Sequence, residues 1–144
     1  MVHELLERRE IYVPRELVFD AWTDVKHLGG WYVPGACTAE RVEANPVRGG
    51  AWDVAWTDAR GAQFEESGRF DELVRPERLC WSLRLSGVDL EPCESRLRLL
   101  LENLGGACRV ELCHEGLADP GWQGRYAALW PQRIDALLEY FSAI

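Results

Sequence analysis

The sequence lacks the segments that mark membrane, secreted and disulfide-rich proteins. No apolar run approaches the roughly 20 residues needed to span a bilayer. Residues 1–10 have neither the uninterrupted apolar stretch nor the small-residue cleavage site of a secretory signal. The cysteines number five, an odd count, and none belongs to a Cys-x-x-Cys pair. These absences predict a cytoplasmic chain with reduced thiols and no membrane partner.

Basic residues are also few. The chain has 16 Lys and Arg against 24 Asp and Glu, which gives a net charge of -8, and Lys26 is the only lysine. No basic stripe is present to overcome the repulsion between this charge and a polyanion, so no nucleic-acid partner is expected. A length of 144 residues with 47% hydrophobic content predicts a single domain over residues 1–144, built on one core.

The first part of the chain reads as a strand followed by two short helices. Alternating apolar residues predict a strand over residues 3–13, which Pro14 closes because proline cannot continue a paired strand. An apolar stripe at helical spacing then predicts a helix from Pro14 to Thr23 and Asp24. Asp24 is placed to cap a second short turn through Leu28.

The middle of the chain alternates with a period of two and is divided by turn residues, which predicts a meander of five or six strands. Gly68 interrupts the longest strand and is predicted to form a bulge, the device by which a strand bends around a core. Glu91-Pro92 is one of the predicted strand boundaries. The strands are predicted at Thr38–Ala44, Ala51–Thr57, Gln63–Val74, Leu79–Leu85, Arg96–Leu101 and Cys108–His114.

A long helix is predicted at the end of the chain. Asp119 and Pro120 form a typical N-cap and first helical residue. Pro131 interrupts the pattern, which leaves open a kink or a separate first turn. A run of strands with helices on one side predicts an α+β domain whose last helix covers the concave face of the sheet. The apolar stripe of this helix consists of Trp130, Ile134, Leu137, Leu138 and Phe141.

A set of short segments, spread over nearly the whole chain, resembles one known family in order and spacing. The family is that of the heat-shock ATPase activator homologues, in the START and birch-pollen-allergen-like superfamily, also called SRPBCC. The resemblance rests on residues 11–19, 22–24, 31–34, 48–52, 68–74, 76–79, 81, 110–116 and 130.

The resemblance implies a helix-grip fold, in which a seven-stranded antiparallel sheet wraps around the C-terminal helix and leaves a cavity between them. It implies less about chemistry. Similar members range from small-ligand carriers and polyketide cyclases to the co-chaperone domain for which the family is named. Function therefore has to be argued from the site.

Seven tryptophans point to an aromatic interior. Trp52 and Trp56 alternate onto one face of a strand, so rings collect on one side of the sheet. Such rings can line a pocket in which a flat or apolar ligand is desolvated, or they can interlock with the last helix as core. The predicted ligand-binding residues are Trp52, Trp56, Phe70, Trp81, His114 and Trp130.

His114 is the best acid–base candidate, because it falls on the same face as its apolar strand neighbours and close to the strand end. A structural histidine is the alternative, since no carboxylate or nucleophile is placed beside it by sequence. Cys113 and His114 point to opposite faces and cannot bind one metal together, so no metal and no cofactor is expected. The carboxylates of Glu65 and Glu66 are interpreted as solvated, not as a catalytic pair.

The leading hypothesis is a module that binds a small hydrophobic or aromatic molecule between sheet and helix. One alternative is a polyketide cyclase or aromatase-like enzyme in which His114 transfers a proton. Another is a protein-interaction role in stress response, with a filled core and a chaperone partner. An exposed apolar patch would favour that interaction, and could equally belong to a homodimer.

Overall fold

The computed structural model describes residues 3–87 and 89–142 as one sheet, two short helices and one long helix. No described helix combines the length and apolar character needed to cross a membrane. The elements are β1 (His3–Ile11), α1 (Arg15–Thr23), α2 (Val25–Leu28), β2 (Thr38–Ala44), β3 (Ala51–Thr57), β4 (Gln63–Val74), β5 (Arg78–Gly87), β6 (Leu90–Asn103), β7 (Cys108–Leu117) and α3 (Pro120–Ser142).

The sheet is antiparallel throughout, with strand order β1-β7-β6-β5-β4-β3-β2. Only β1 is out of sequence order, and it pairs with β7, so the first and last strands lie side by side. Buried and exposed residues alternate along β3 to β6, because successive side chains of a strand point to opposite faces. The inward residues pack with the buried side of α3, which confirms the α+β helix-grip fold with seven strands.

The bounds of β2, β3 and β4 are those that the sequence predicts. The boundary predicted at Glu91-Pro92 is wrong, because β6 begins at Leu90 and runs through Pro92. Pairing between β6 and β7 begins only at Arg96, so Pro92 has no partner on that side. Because Pro92 lies outside the β6–β7 pairing, its lack of an N–H costs no hydrogen bond between these two strands.

α2 and α3 begin where the sequence places their caps, whereas α1 begins at Arg15, one residue after the predicted first helical residue Pro14. The Asp24 side chain accepts a hydrogen bond from the N–H of Lys26 at the start of α2, and Asp119 accepts one from the N–H of Gly121 at the start of α3. α3 continues through Pro131 as one helix, so the first turn is not a separate element. The first strand is shorter than predicted and ends at Ile11.

Gly68 does not form the predicted bulge. It pairs in regular register with Trp52 and Leu83, and the irregularity of β4 lies between Phe70 and Glu72. A Cβ atom at Gly68 would lie 1.7 Å from the carbonyl oxygen of Ser82, a backbone atom. Glycine is therefore needed here because β4 and β5 approach each other too closely for any side chain.

We expect Gly68→Ala to lower the free energy of unfolding by about 3 kcal/mol, since the new methyl group forces two paired strands apart. Gly35→Ala is the matched control, because nothing lies within 4 Å of a Cβ atom at Gly35. Urea unfolding of both variants measures the difference. Equal stability of the two would contradict the close approach.

Candidate functional site

Four of the predicted ligand-binding rings lie in the centre of the molecule. Trp52, Phe70, Trp81 and Trp130 are each at most 1% exposed. The ring centroid of Trp52 is 5.4 Å from that of Trp81 and 5.8 Å from that of Phe70. Trp22 of α1 contacts Trp81 and Trp130 at 5.8 and 6.0 Å. These rings pack on one another, and their role toward a ligand stays a prediction.

A buried carboxylate lies beside these rings. Glu66 is 0% exposed, which corrects the interpretation of its side chain as solvated. The hydroxyl of Tyr32 donates to Glu66 Oε1 at 2.5 Å, and that of Tyr126 donates to Oε2 at 2.7 Å. Nη1 of Arg133 lies 2.9 Å from Oε2. Glu66 shares the inward register of Phe64 in β4, and that period-two signal could have identified it.

The guanidinium of Arg133 is held on several sides. Its Nε donates to the carbonyl oxygen of Tyr32 at 3.0 Å, and its central carbon lies 3.8 Å from the centroid of the Tyr32 ring and 4.9 Å from that of Trp130. Within the described part of the chain, Nη2 has no hydrogen-bond acceptor, and the contact of Nη1 with Glu66 is an ion pair without hydrogen-bond geometry. Arg133 thus combines an ion pair, cation–π contacts and a buried donor without a partner.

The charges of this cluster are fixed by burial. Desolvation, together with the charge of Glu66, raises the pKa of Tyr32 and Tyr126 well above 10, so both hydroxyls stay protonated and donate. Desolvation alone would lower the pKa of Arg133, but the carboxylate of Glu66 raises it, so the guanidinium stays charged. We call Tyr32, Glu66, Tyr126 and Arg133 the buried polar cluster.

His114 is 0% exposed, and both of its ring nitrogens are engaged. The indole N–H of Trp130 can only donate, and it lies 2.9 Å from Nδ1 of His114. Nδ1 is therefore the acceptor, and the neutral ring must carry its proton on Nε2, which donates to the hydroxyl of Ser95 at 2.8 Å. Burial, with a smaller effect of Arg133, lowers the pKa of His114 to about 3. This arrangement leaves no lone pair free to accept a proton or hold a metal ion.

An open groove lies at the edge of this interior, between the N-terminal half of α3, strands β3 and β4, and the segment before β2. Its volume is about 610 Å³. A Cβ atom at Gly124 would meet nothing within 4 Å, so the small residues on this side of α3 keep the groove open. We call it the α3 groove, lined by Pro34, Ala36, Cys37, Trp56, Asp58, Phe64, Leu90, Pro120, Gly121, Gly124, Arg125, Ala128, Leu129 and Gln132.

Trp56 is the one predicted ligand-binding residue in the lining of the α3 groove. Its ring stacks on Phe64 with centroids 5.8 Å apart, and the guanidinium of Arg125 lies 4.2 Å from the centroid of Phe64. Arg133 lies 5.2 Å from the Trp56 ring, so the buried polar cluster is directly behind this wall. The spacing of Gly121 and Gly124 in an otherwise bulky helix is the sequence signal that could have located the groove.

A group of ligand atoms suited to a metal ion occurs among the described residues at Glu4, Cys113 and Glu115, within 4.8 Å of one another. Desolvation, with Glu4 and the neighbouring carboxylates, raises the pKa of the Cys113 thiol, which opposes the thiolate that a metal requires. Glu4 and Glu115 are exposed, and exposed carboxylates commonly meet without an ion. We assign no metal to this group.

We expect Arg133→Met to lower the free energy of unfolding by about 3–5 kcal/mol, because it leaves Glu66 charged, buried and without a cation. Combining Arg133→Met with Glu66→Gln should recover most of this loss, since the amide oxygen still accepts a tyrosine hydroxyl. Arg75→Met is the control, because its ion pair with Asp20 is exposed and contributes little to stability. Urea unfolding distinguishes these cases, and a double variant no more stable than the single one would contradict the ion-pair argument.

His114 should also make stability depend on pH. Its pKa of about 3 in the folded chain, against an ordinary value of 6.5, means that below pH 6.5 the unfolded chain takes up a proton that the folded chain refuses. This contribution is complete above pH 6.5 and falls by about 1.4 kcal/mol for each pH unit below it. Urea unfolding between pH 7 and pH 5 should show a smaller slope for His114→Gln than for the unsubstituted chain. Equal slopes would show that His114 is protonated in the folded state.

Known proteins share this architecture. The model of the family described as activator of Hsp90 ATPase homolog 1-like protein matches residues 12–142. No curated protein sequence matches the chain. Protein CV1439 from Chromobacterium violaceum is 24% identical, with 94% of each chain covered and a TM-score of 0.82.

Two further solved structures show the same likeness. The AHSA1 (SPO3351) protein from Silicibacter pomeroyi is 22% identical, with 98% of this chain and 99% of that chain covered and a TM-score of 0.84. CalU16 from Micromonospora echinospora is 19% identical, with 98% and 77% covered and a TM-score of 0.72. At these identities the solved structures show a shared fold, whereas the family model matches almost the whole sequence. The chain therefore belongs to the activator of Hsp90 ATPase homolog 1-like family.

Proposed function

We propose that the protein binds a small apolar or aromatic molecule in the α3 groove. The observation that carries this proposal is the groove itself, which has about 610 Å³ of open space beside the Trp56 and Phe64 rings. This volume is within the range of small-molecule sites, and its lining is mainly apolar with few polar groups, as in such sites. The ligand is therefore expected at the outer edge of the sheet–helix interface.

Apolar burial would supply the affinity. A ligand that covers about 200 Å² of apolar surface gains about 5 kcal/mol, from which the cost of association has to be subtracted. Trp56 would contact the ligand directly. The other predicted residues, Trp52, Phe70, Trp81, His114 and Trp130, would support the wall behind it by holding the core rigid.

The enzymatic alternative requires a group that transfers a proton, and His114 has both nitrogens engaged. The interaction alternative requires a continuous apolar face. The exposed large apolar side chains instead lie on separate segments, and such scattered exposure is ordinary for a protein surface. Among the residues that the structure describes, they are Leu6, Tyr12, Leu17, Val25 and Val47. Ligand binding is therefore the function that the geometry supports best.

We expect Gly124→Leu to weaken binding, because its side chain would extend into the groove from a position where a Cβ atom meets nothing. The measurement is fluorescence titration with naphthalene derivatives, with tryptophan quenching as the signal. Loss of at least tenfold in affinity is expected. The same change should not unfold the protein, because glycine is a poor helix former.

Gly124→Ala is the matched control. It should stabilise the fold by about 1 kcal/mol, as glycine-to-alanine changes in helices do, while leaving most of the groove free. It should therefore retain binding. Saturable binding of equal strength in the leucine and alanine variants would contradict the α3 groove as the ligand site.

A further inference from the structure

One cation at the α3 groove has no partner within the described part of the chain. Arg125 is exposed on α3, and its guanidinium lies against the Phe64 ring, 4.2 Å from the centroid. It takes part in no ion pair and no side-chain hydrogen bond among the described residues. Its planar set of N–H donors is therefore held in place by the aromatic ring and is free to meet an acceptor.

The nearby carboxylates are already engaged with backbone groups. Asp58 accepts from the N–H groups of Arg60 and Ala62, both at 2.9 Å, in the turn between β3 and β4. Asp119 accepts from the N–H of Gly121 at 2.6 Å, as the cap of α3. These bonds hold the two acidic side chains to their own segments. Only Oδ1 of each carboxylate is engaged in these bonds, and neither carboxylate forms an ion pair with Arg125 among the described residues.

The positive charge of Arg125 acts across the groove. Cys37 lies on the opposite wall, in the segment before β2. Burial and Asp58 raise the pKa of its thiol, whereas Arg133 and Arg125 lower it. Arg133 is paired with Glu66 behind the wall of the groove. Arg125 is the groove cation that forms no ion pair among the described residues, and its charge reaches the groove together with that of Arg133 and against that of Asp58.

We infer that the α3 groove selects an apolar molecule that carries a carboxylate, with the ring or chain on Trp56 and Leu129 and the carboxylate on Arg125. This inference rests on the proposed function and adds the chemical class of its ligand. A guanidinium matches a carboxylate in geometry as well as in charge, because two parallel N–H donors meet two oxygens. The carboxylate of the ligand would lie next to α3, away from Asp58 in the turn between β3 and β4.

The test compares two probes of almost the same shape, 2-naphthoate and the neutral 2-naphthamide, by fluorescence titration at pH 7.5 and low salt. We expect naphthoate to bind about fivefold more tightly, the ratio for an ion pair that stays in contact with water. Arg125→Gln should bring the ratio close to one, and Arg125→Lys should keep part of it. High salt should reduce the ratio in the unsubstituted protein.

Arg98→Gln is the matched control, because it removes one positive charge from an exposed position on the outer face of β6. It should leave the ratio unchanged. A ratio near one in the unsubstituted protein, or a ratio that survives Arg125→Gln, would overturn the inference. Equal weakening of both probes by Arg125→Gln would also overturn it, since Arg125 would then act only through its packing on Phe64.

Failure of the proposed function gives a different result. If neither probe binds saturably to the unsubstituted protein, the α3 groove is not a ligand site, and the inference about its ligand falls with it. Saturable binding of both probes with equal affinity instead supports the proposed function and overturns only the preference for a carboxylate.

Discussion

The ion pair between Glu66 and Arg133 is the constraint on which the rest of the interior depends. Neither group can be buried alone, because an isolated charge in an apolar core costs several kcal/mol. Glu66 comes from β4, Arg133 from α3, Tyr32 from the segment after α2 and Tyr126 from the preceding turns of α3. Hydrogen bonds are directional, so those between these elements are satisfied in only one relative orientation. The buried polar cluster therefore fixes the rotation of α3 against the sheet.

Fixing that rotation decides which side of α3 is filled and which is open. The buried side presents large residues, among them Trp122, Tyr126 and Trp130. The side toward the α3 groove presents Gly121, Gly124 and Ala128. A rotation of the helix by one residue would move bulky side chains into the groove and break the contacts of Glu66. The groove is thus a consequence of the same contacts that close the core.

The sequence allowed the strands to be predicted better than the site. Turn residues and alternation are local, so the sequence predicts β2 to β4 with their bounds, whereas Pro92 leads it to predict too short a β6. The alternation of Glu65 and Glu66 across β4 does not by itself show that Glu66 is the inward one, which its shared register with Phe64 indicates. Its partners lie 34 and 60 residues away at Tyr32 and Tyr126, and no local pattern predicts such pairings.

The buried and the exposed charged groups of this protein have different surroundings. Buried charge is matched inside the core, where Glu66 and Arg133 neutralise each other and orient the helix. The donors of Arg133 face the interior, where its Nε donates to the carbonyl oxygen of Tyr32 and its Nη1 lies 2.9 Å from Glu66. Arg125 has no such partner among the described residues, and its ring contact with Phe64 costs it no hydrogen-bond donor. The proposed preference for a carboxylate is therefore assigned to this exposed arginine, whereas the buried one is assigned to holding Trp56 and α3 in position.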